Sequence, residues 1–375
     1  MRTFRCVCGN QIYFENTQCY VCGRTLGYLP DTGVIAALEP AEGGLWRKAD
    51  GAKDAHRKCA NYERQDVCNW MVPADDPEAF CHACRLNRMI PDLSVPENLP
   101  LWFRVEGAKR RLIYTLDSLG LPVFGKQVNA ERGLAFEFLR DDTGKYDEFG
   151  NEWENRRHVL TGHRTGTITI NIAEADPHER ERMRERMNEA YRTLLGHFRH
   201  EIAHYYWELL VRDSGWLEPV RSNFGDERTD YQAALDRYYA QGPKPNWSTT
   251  HISAYASAHP WEDWAETWAH YLHMVDTLET AHDFSIMVSG RSIAARNPNR
   301  VGDLTPILED WSALTAALNA LNRSMGLPDA YPFAVSPTVA DKLALIDRII
   351  AHSRHDDPPA PPPPSRNGAA PTTPA

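Results

Sequence analysis

The chain has 375 residues, 42% of them hydrophobic and 25% charged, and a formal net charge of −10. This length can hold roughly two or three domains around a sizeable core, the composition is that of a soluble globular protein, and the acidic balance argues against a nucleic-acid partner, which needs basic side chains to meet phosphate. No run of about 18 apolar residues is available to span a membrane, and the opening MRTFRCVCGNQIYF has no apolar core of a secretory signal. A cytoplasmic protein with no membrane partner is expected.

All eight cysteines lie at positions 6, 8, 19, 22, 59, 68, 81 and 84. In a reducing compartment such clustering points to metal thiolates over disulfides. Residues 1–90 carry 11 Lys+Arg and 11 Asp+Glu, so this part also lacks a basic excess. Cys6-Val7-Cys8 and Cys19-Tyr20-Val21-Cys22 flank a strand-like QIYFE, the arrangement of a zinc ribbon, with Gly9 and Gly23 freeing the backbone just past each pair. Cys59, Cys68, Cys81 and Cys84 form a second tetrad. His82 lies between two better ligands and is read as a bystander.

PDLSVPENLP, residues 91–100, is a proline-punctuated linker between a zinc-ribbon region (1–90) and the domain that follows (101–354). Residues 101–119 read as an amphipathic helix closed by Gly120. GLAFEFLRD and HVLTGHRTGTITINIAEAD alternate apolar and polar residues as half-buried strands do. An edge strand in the second run could add an extended peptide. Asp176-Pro177 is a good helix start. The helix is expected to run to about Val211, bent or divided at Gly196, with its ERERMRERM face solvated.

Within that helix lies His200-Glu201-Ile202-Ala203-His204. Positions i and i+4 share one helical face, so both imidazoles can reach one Zn²⁺. Glu201 beside them can take a proton from a water activated by the metal and pass it to the leaving amine. The flanking apolar residues predict a buried helix, where charged and imidazole groups need partners.

Residues 212–228 read as irregular, DYQAALDRYYAQ as a short helix and GPKPNWST as a loop. In SAYASAHPWEDWAETWAHYLHMVDTLE, residues 253–279, Pro260 opens a helix on which Glu262, Glu266, His270 and His273 recur along one flank. A catalytic zinc needs a third protein ligand. Glu262 and Glu266 are the candidates, with His270 and His273 behind them. Residues 305–325 and 336–353 read as two more helices, and residues 355–375 as a proline-rich disordered tail.

Together, FENTQCYVCGRTLGYLPD, CANYERQDVCNW…CHACRLNRMIPDLS, GHFRHEIAHYYW and SAYASAHPWEDWAETWAHYLH resemble the bacterial zinc-binding metallopeptidase family that carries an N-terminal zinc-ribbon domain. The resemblance runs from about residue 4 to 350. Members usually have CxxC where this chain has Cys6-Val7-Cys8. A more distant similarity, to the gluzincin catalytic domain of anthrax lethal factor, rests on Tyr255 preceding Glu262-Asp263-Trp264-Ala265-Glu266 by six intervening residues, with Asp263 in place of an aromatic.

That similarity implies Glu262 as third ligand, Tyr255 as donor to the scissile carbonyl oxygen, and Glu266 as the acid holding a ligand imidazole. The resemblance therefore implies an α+β protein: zinc-ribbon modules, then a mainly helical zincin-like domain with a small antiparallel sheet. It implies one catalytic and two structural zinc ions, a peptide or protein substrate, and a protein partner for the ribbons. The rival expectation is a zinc-binding adaptor whose HExxH domain is catalytically silent.

Overall fold

The computed structural model describes residues 2–141, 159–186, 191–297 and 301–354. The tail expected to be disordered, residues 355–375, lies outside them. A short hairpin, β1 (Phe4–Arg5) and β2 (Gln11–Ile12), carries the first cysteine pair in its turn. Five strands then form an antiparallel meander: β3 (Thr25–Leu29), β4 (Val34–Pro40), β5 (Trp46–Lys48), β6 (Ala55–Lys58) and β7 (Met71–Pro73). Gly27 on β3 is required by packing, because a Cβ there would come within 2.7 Å of Met71 and 2.8 Å of Leu38. The short helix α1 (Ala60–Gln65) starts directly after Cys59.

The next strand, β8 (Asn87–Met89), follows Cys84 by only three residues and leaves the meander to join a second sheet. Helix α2 (Asn98–Ser118) begins inside the proline-punctuated stretch and presents Trp102, Val105, Leu112, Ile113 and Leu116 to the core. Its C-terminus is closed by Gly120 at φ 69°, with the Gly120 and Leu121 amides turning back to Asp117 and Leu116 carbonyls at 3.0 Å. One apolar core runs without interruption from the ribbon residues through α2 to the C-terminal helix.

The second sheet comprises β8, β9 (Ala135–Leu139), β10 (Gly162–Arg164) and β11 (Thr167–Asn171), in the order β10-β11-β9-β8. It is mixed, where an antiparallel sheet was expected: β10 and β11 are antiparallel, but β11, β9 and β8 run parallel. The alternating run Thr167–Asn171 lies inside the sheet, and β10 takes the edge. Phe136 and Phe138 of this sheet pack on Phe198 of the metal-site helix, with ring centroids 5.8 and 6.3 Å away.

Helix α3 (Pro177–Arg186) starts at the expected proline, but the helix with the HExxH residues is a separate one, α4 (Leu194–Tyr206). Thr193 caps α4 by accepting from the Gly196 amide at 3.0 Å, and a Cβ at Gly196 would crowd that hydroxyl at 2.9 Å. Gly196 thus makes room for the cap and does not bend the helix. The last turn of α4 widens into a π-turn over Trp207–Val211.

Residues expected to be irregular contain α5 (Leu217–Phe224). Then come α6 (Tyr231–Gln241) and the long α7 (Pro260–Asp283). A two-stranded ribbon of β12 (Met287–Val288) and β13 (Arg291–Ser292) and the helices α8 (Thr305–Ser324) and α9 (Pro337–Ser353) complete the described chain. Helices α4 and α7 pack face to face. The Trp264 indole donates to the Ala203 carbonyl at 2.9 Å, and Trp268 stacks on Tyr206 at 5.3 Å. No helix among the described residues is long and apolar enough to cross a membrane.

Candidate metal centres

The eight cysteines gather into the two expected groups, each with its sulfurs within 4.8 Å of one another and with no disulfide between any of them. In the first, Cys6 and Cys22 are 3.5 Å apart and Cys8 and Cys19 3.7 Å apart. In the second, Cys68 stands 3.8 Å from Cys81 and 3.7 Å from Cys84. Four sulfurs around a tetrahedral zinc at about 2.3 Å lie roughly 3.8 Å from each other, so both groups fit that ion.

The tight Cys6-Val7-Cys8 turn closes. Gly9, at φ 88°, returns its amide to the Cys6 carbonyl at 2.8 Å, and Gly23, at φ 71°, does the same for Cys19. In the second group the Trp70 and Cys81 amides each point at a sulfur, Cys68 and Cys59 respectively, at 3.3 Å. Buried Arg110 and Lys109 lie beneath it, and Lys109 pairs with Glu106 at 2.8 Å. Despite the burial that opposes their charge, the neighbouring acid and thiols raise the pKa of both cations. His82 faces outward and pairs with Asp117 at 3.3 Å, outside the tetrad.

The third centre joins α4 to α7. His200, His204 and Glu262 bring ring nitrogens and carboxylate oxygens within 4.8 Å of one another, all three residues being buried. His200 Nε2 is 2.9 Å and His204 Nε2 3.9 Å from the Glu262 carboxylate. Oε2 is the oxygen turned to His200 and Oε1 the one turned to His204. A buried carboxylate facing two imidazoles is a donor set that a cation satisfies.

The supports are specific. His200 Nδ1 meets Glu266 Oε1 at 2.8 Å, and Ser253 Oγ donates to the other Glu266 oxygen at 2.6 Å. His204 lies flat against Trp261, with centroids 4.9 Å apart and planes 7° from parallel. Tyr231 donates to Glu262 Oε1 at 2.7 Å.

Burial pushes the Glu262 carboxyl up, but His200 more than offsets this and holds it at about 2. Burial keeps His204 neutral, lowering it to about 3. Burial raises Glu201, the acid between the histidines. His197 lies on its far side, 3.9 Å from Glu201 and 2.5 Å from Glu174. The Tyr255 ring is 6.1 Å from that of His200, and burial drives its phenol far above the usual range, so it stays a donor.

The two histidines read as weaker candidates stand elsewhere. His270 Nδ1 meets the Tyr331 hydroxyl at 2.7 Å, and His273 packs edge-on to Trp311. Asp263, where an aromatic was anticipated, binds Lys342 of α9 at 2.6 Å. Sequence reading missed Tyr231, Ser253, His197 and Trp261. Only His197 carried a signal, its one-turn spacing from Glu201.

Residues 98–349 match the profile of a family described as "Putative zinc-binding metallo-peptidase", and residues 3–95 match a zinc-ribbon domain. Uncharacterized proteins of Mycobacterium tuberculosis and Mycobacterium bovis are each 39% identical over 368 residues, covering 94% of this chain and 99% of the relative. No solved structure matches the chain. With its ribbon region, its helical domain and the His200/His204/Glu262 cluster, the chain belongs to this family of zinc-binding metallopeptidases.

Proposed function

We propose that the protein is a zinc-dependent peptidase of the gluzincin type, hydrolysing peptide bonds in a peptide or protein substrate, with one catalytic zinc and two structural ones. The observation that carries this reading is the convergence of buried His200, His204 and Glu262, with Glu201 beside them. Zinc in such a site supplies Lewis acidity, bringing the pKa of water toward ~7 and polarising the scissile carbonyl.

The chain's own residues perform the rest. Glu266, fixed by Ser253, holds the Nδ1 side of His200 and leaves Nε2 turned to the site. Glu201 takes the proton of the attacking water and delivers it to the leaving amine, a role helped by burial, which raises its carboxyl above the ordinary range. Tyr255 donates to the carbonyl oxygen as negative charge builds on it. The cysteine tetrads, closed by four sulfurs each, hold structural zinc, and thiolates reserved for metal suit the reducing cytoplasm. The ribbon region presents a partner or substrate to the cleft.

A peptide-library digest by zinc-loaded protein tests this reading, with Glu201→Gln as control. Cleavage by wild type, reduced ~10²–10⁴-fold in Glu201→Gln with zinc retained, is expected. Full zinc occupancy with no peptide cut would favour the binding adaptor.

A further inference from the structure

Helix α6 is attached to the molecule in an unusual way. Of its eleven residues only Ala234 is buried, so it lacks the apolar stripe that normally fixes a helix of this length. Yet its first residue, Tyr231, reaches Glu262, which is 1% exposed, and donates to Oε1 at 2.7 Å. The Tyr231 ring stands edge-on to His259, the N-cap of α7, at 5.2 Å. Two turns further on, Tyr238 meets Tyr255 edge-on at 5.7 Å. Tyrosines directed at the metal site therefore hold α6.

The bond to Tyr231 also divides the labour of the carboxylate. Oε1 accepts from the phenol and lies 3.9 Å from His204 Nε2, while Oε2 is paired with His200 Nε2 at 2.9 Å.

We propose that Tyr231 is a positioning residue: its hydroxyl holds Oε1 of Glu262 and so fixes the carboxylate in the orientation that faces His200 and His204, and the same bond anchors the start of α6 to the ligand. The inference rests on Glu262 being the third ligand.

The test uses Co²⁺ placed in the exchangeable site of the full-length protein while the cysteine tetrads keep their zinc. Tyr231→Phe retains the ring against His259 and removes only the hydroxyl. It should bind Co²⁺ roughly 10–100-fold more weakly, as expected for loss of an outer partner of a ligand. Its visible absorption should shift as the released carboxylate turns. Amides of α6 should exchange faster in the loaded variant than in loaded wild type, while those of α4 and α7 stay protected and so report an intact fold.

Unchanged affinity, spectrum and α6 exchange, alongside a Glu262→Gln variant that loses the metal, would overturn the positioning role and leave the ligand set standing. Metal binding untouched in Glu262→Gln would overturn the ligand set, and this inference with it.

Discussion

The cysteine tetrads and the α4–α7 centre each gather donors that could hold a metal ion, and the contrast lies in what surrounds the donors. Each tetrad offers four sulfurs from turns held by backbone amides, which fills a tetrahedral zinc completely. The α4–α7 centre offers three donors from two helices and adds groups outside the donor set: Glu201, buried with a raised pKa, and Tyr255, a half-buried phenol. Under the proposed function, Glu201 and Tyr255 are the groups that a purely structural site would not need. Donor count and idle neighbours, more than the metal, separate scaffold from chemistry.

The largest effect should come from breaking a tetrad. In zinc-finger peptides a structural zinc contributes on the order of 10 kcal/mol, and the second tetrad is buried throughout and continues directly into β8 of the mixed sheet. Cys81→Ala is therefore expected to lose one zinc and lower thermal stability drastically, as read by metal analysis and calorimetry. Cys8→Ala, at the exposed edge of the first tetrad, should lose its zinc with a smaller thermal shift.

Tyr255→Phe sharpens the contrast from the other side. Removing one donor aimed at a developing oxyanion typically costs ~10²–10³ in kcat, so the variant should keep its zinc and a similar KM while losing most of its rate. Turnover near the wild-type value would assign Tyr255 to packing. Glu266→Gln should be milder, weakening zinc at this centre ~10–100-fold, whereas Glu262→Gln should abolish it. The reverse ranking, by competition with a chromophoric chelator, would exchange their roles.

The smallest effect concerns the support on the β-sheet side. Burial raises the Glu174 carboxyl, but His197, Thr161 and Arg192 outweigh it and hold the group at about 2, below its ordinary 4.5. A depressed carboxyl contributes stability that is present above pH 4.5 and disappears as the pH falls toward 2. Glu174→Gln should be less stable at neutral pH and show a flatter stability profile across that window in urea unfolding. An unaltered profile would mean that the cluster contributes nothing to the α4 side of the site.

The donor groups of both kinds of site were legible in the sequence. His200, Glu201 and His204 need only an α-helix to share a face, and the cysteines announce themselves by clustering. Glu262 is less local: among four polar residues on α7, resemblance to a known domain singled it out. What escaped was set by distant contacts. β8 is three residues long and pairs with a strand nearly fifty positions away, so neither its existence nor its parallel sense is written in its own residues. The division between α3 and α4, expected at Gly196, falls before Leu194, because Thr193 caps α4 through the Gly196 amide. α5 was missed because Pro219 sits in its first turn and polar residues fill its middle. Tyr231 and Ser253 matter only because the fold brings them to Glu262 and Glu266.

The difference between closed and open metal centres is tested most directly by counting zinc before and after brief dialysis of the reduced protein against a chelator. The expected result is three zinc ions per chain falling to two, with peptide cleavage lost, far-UV circular dichroism unchanged, and activity restored by one equivalent of zinc. A starting count of one, or loss of all the zinc in a single phase together with unfolding, would contradict the division into two scaffold sites and one chemical site.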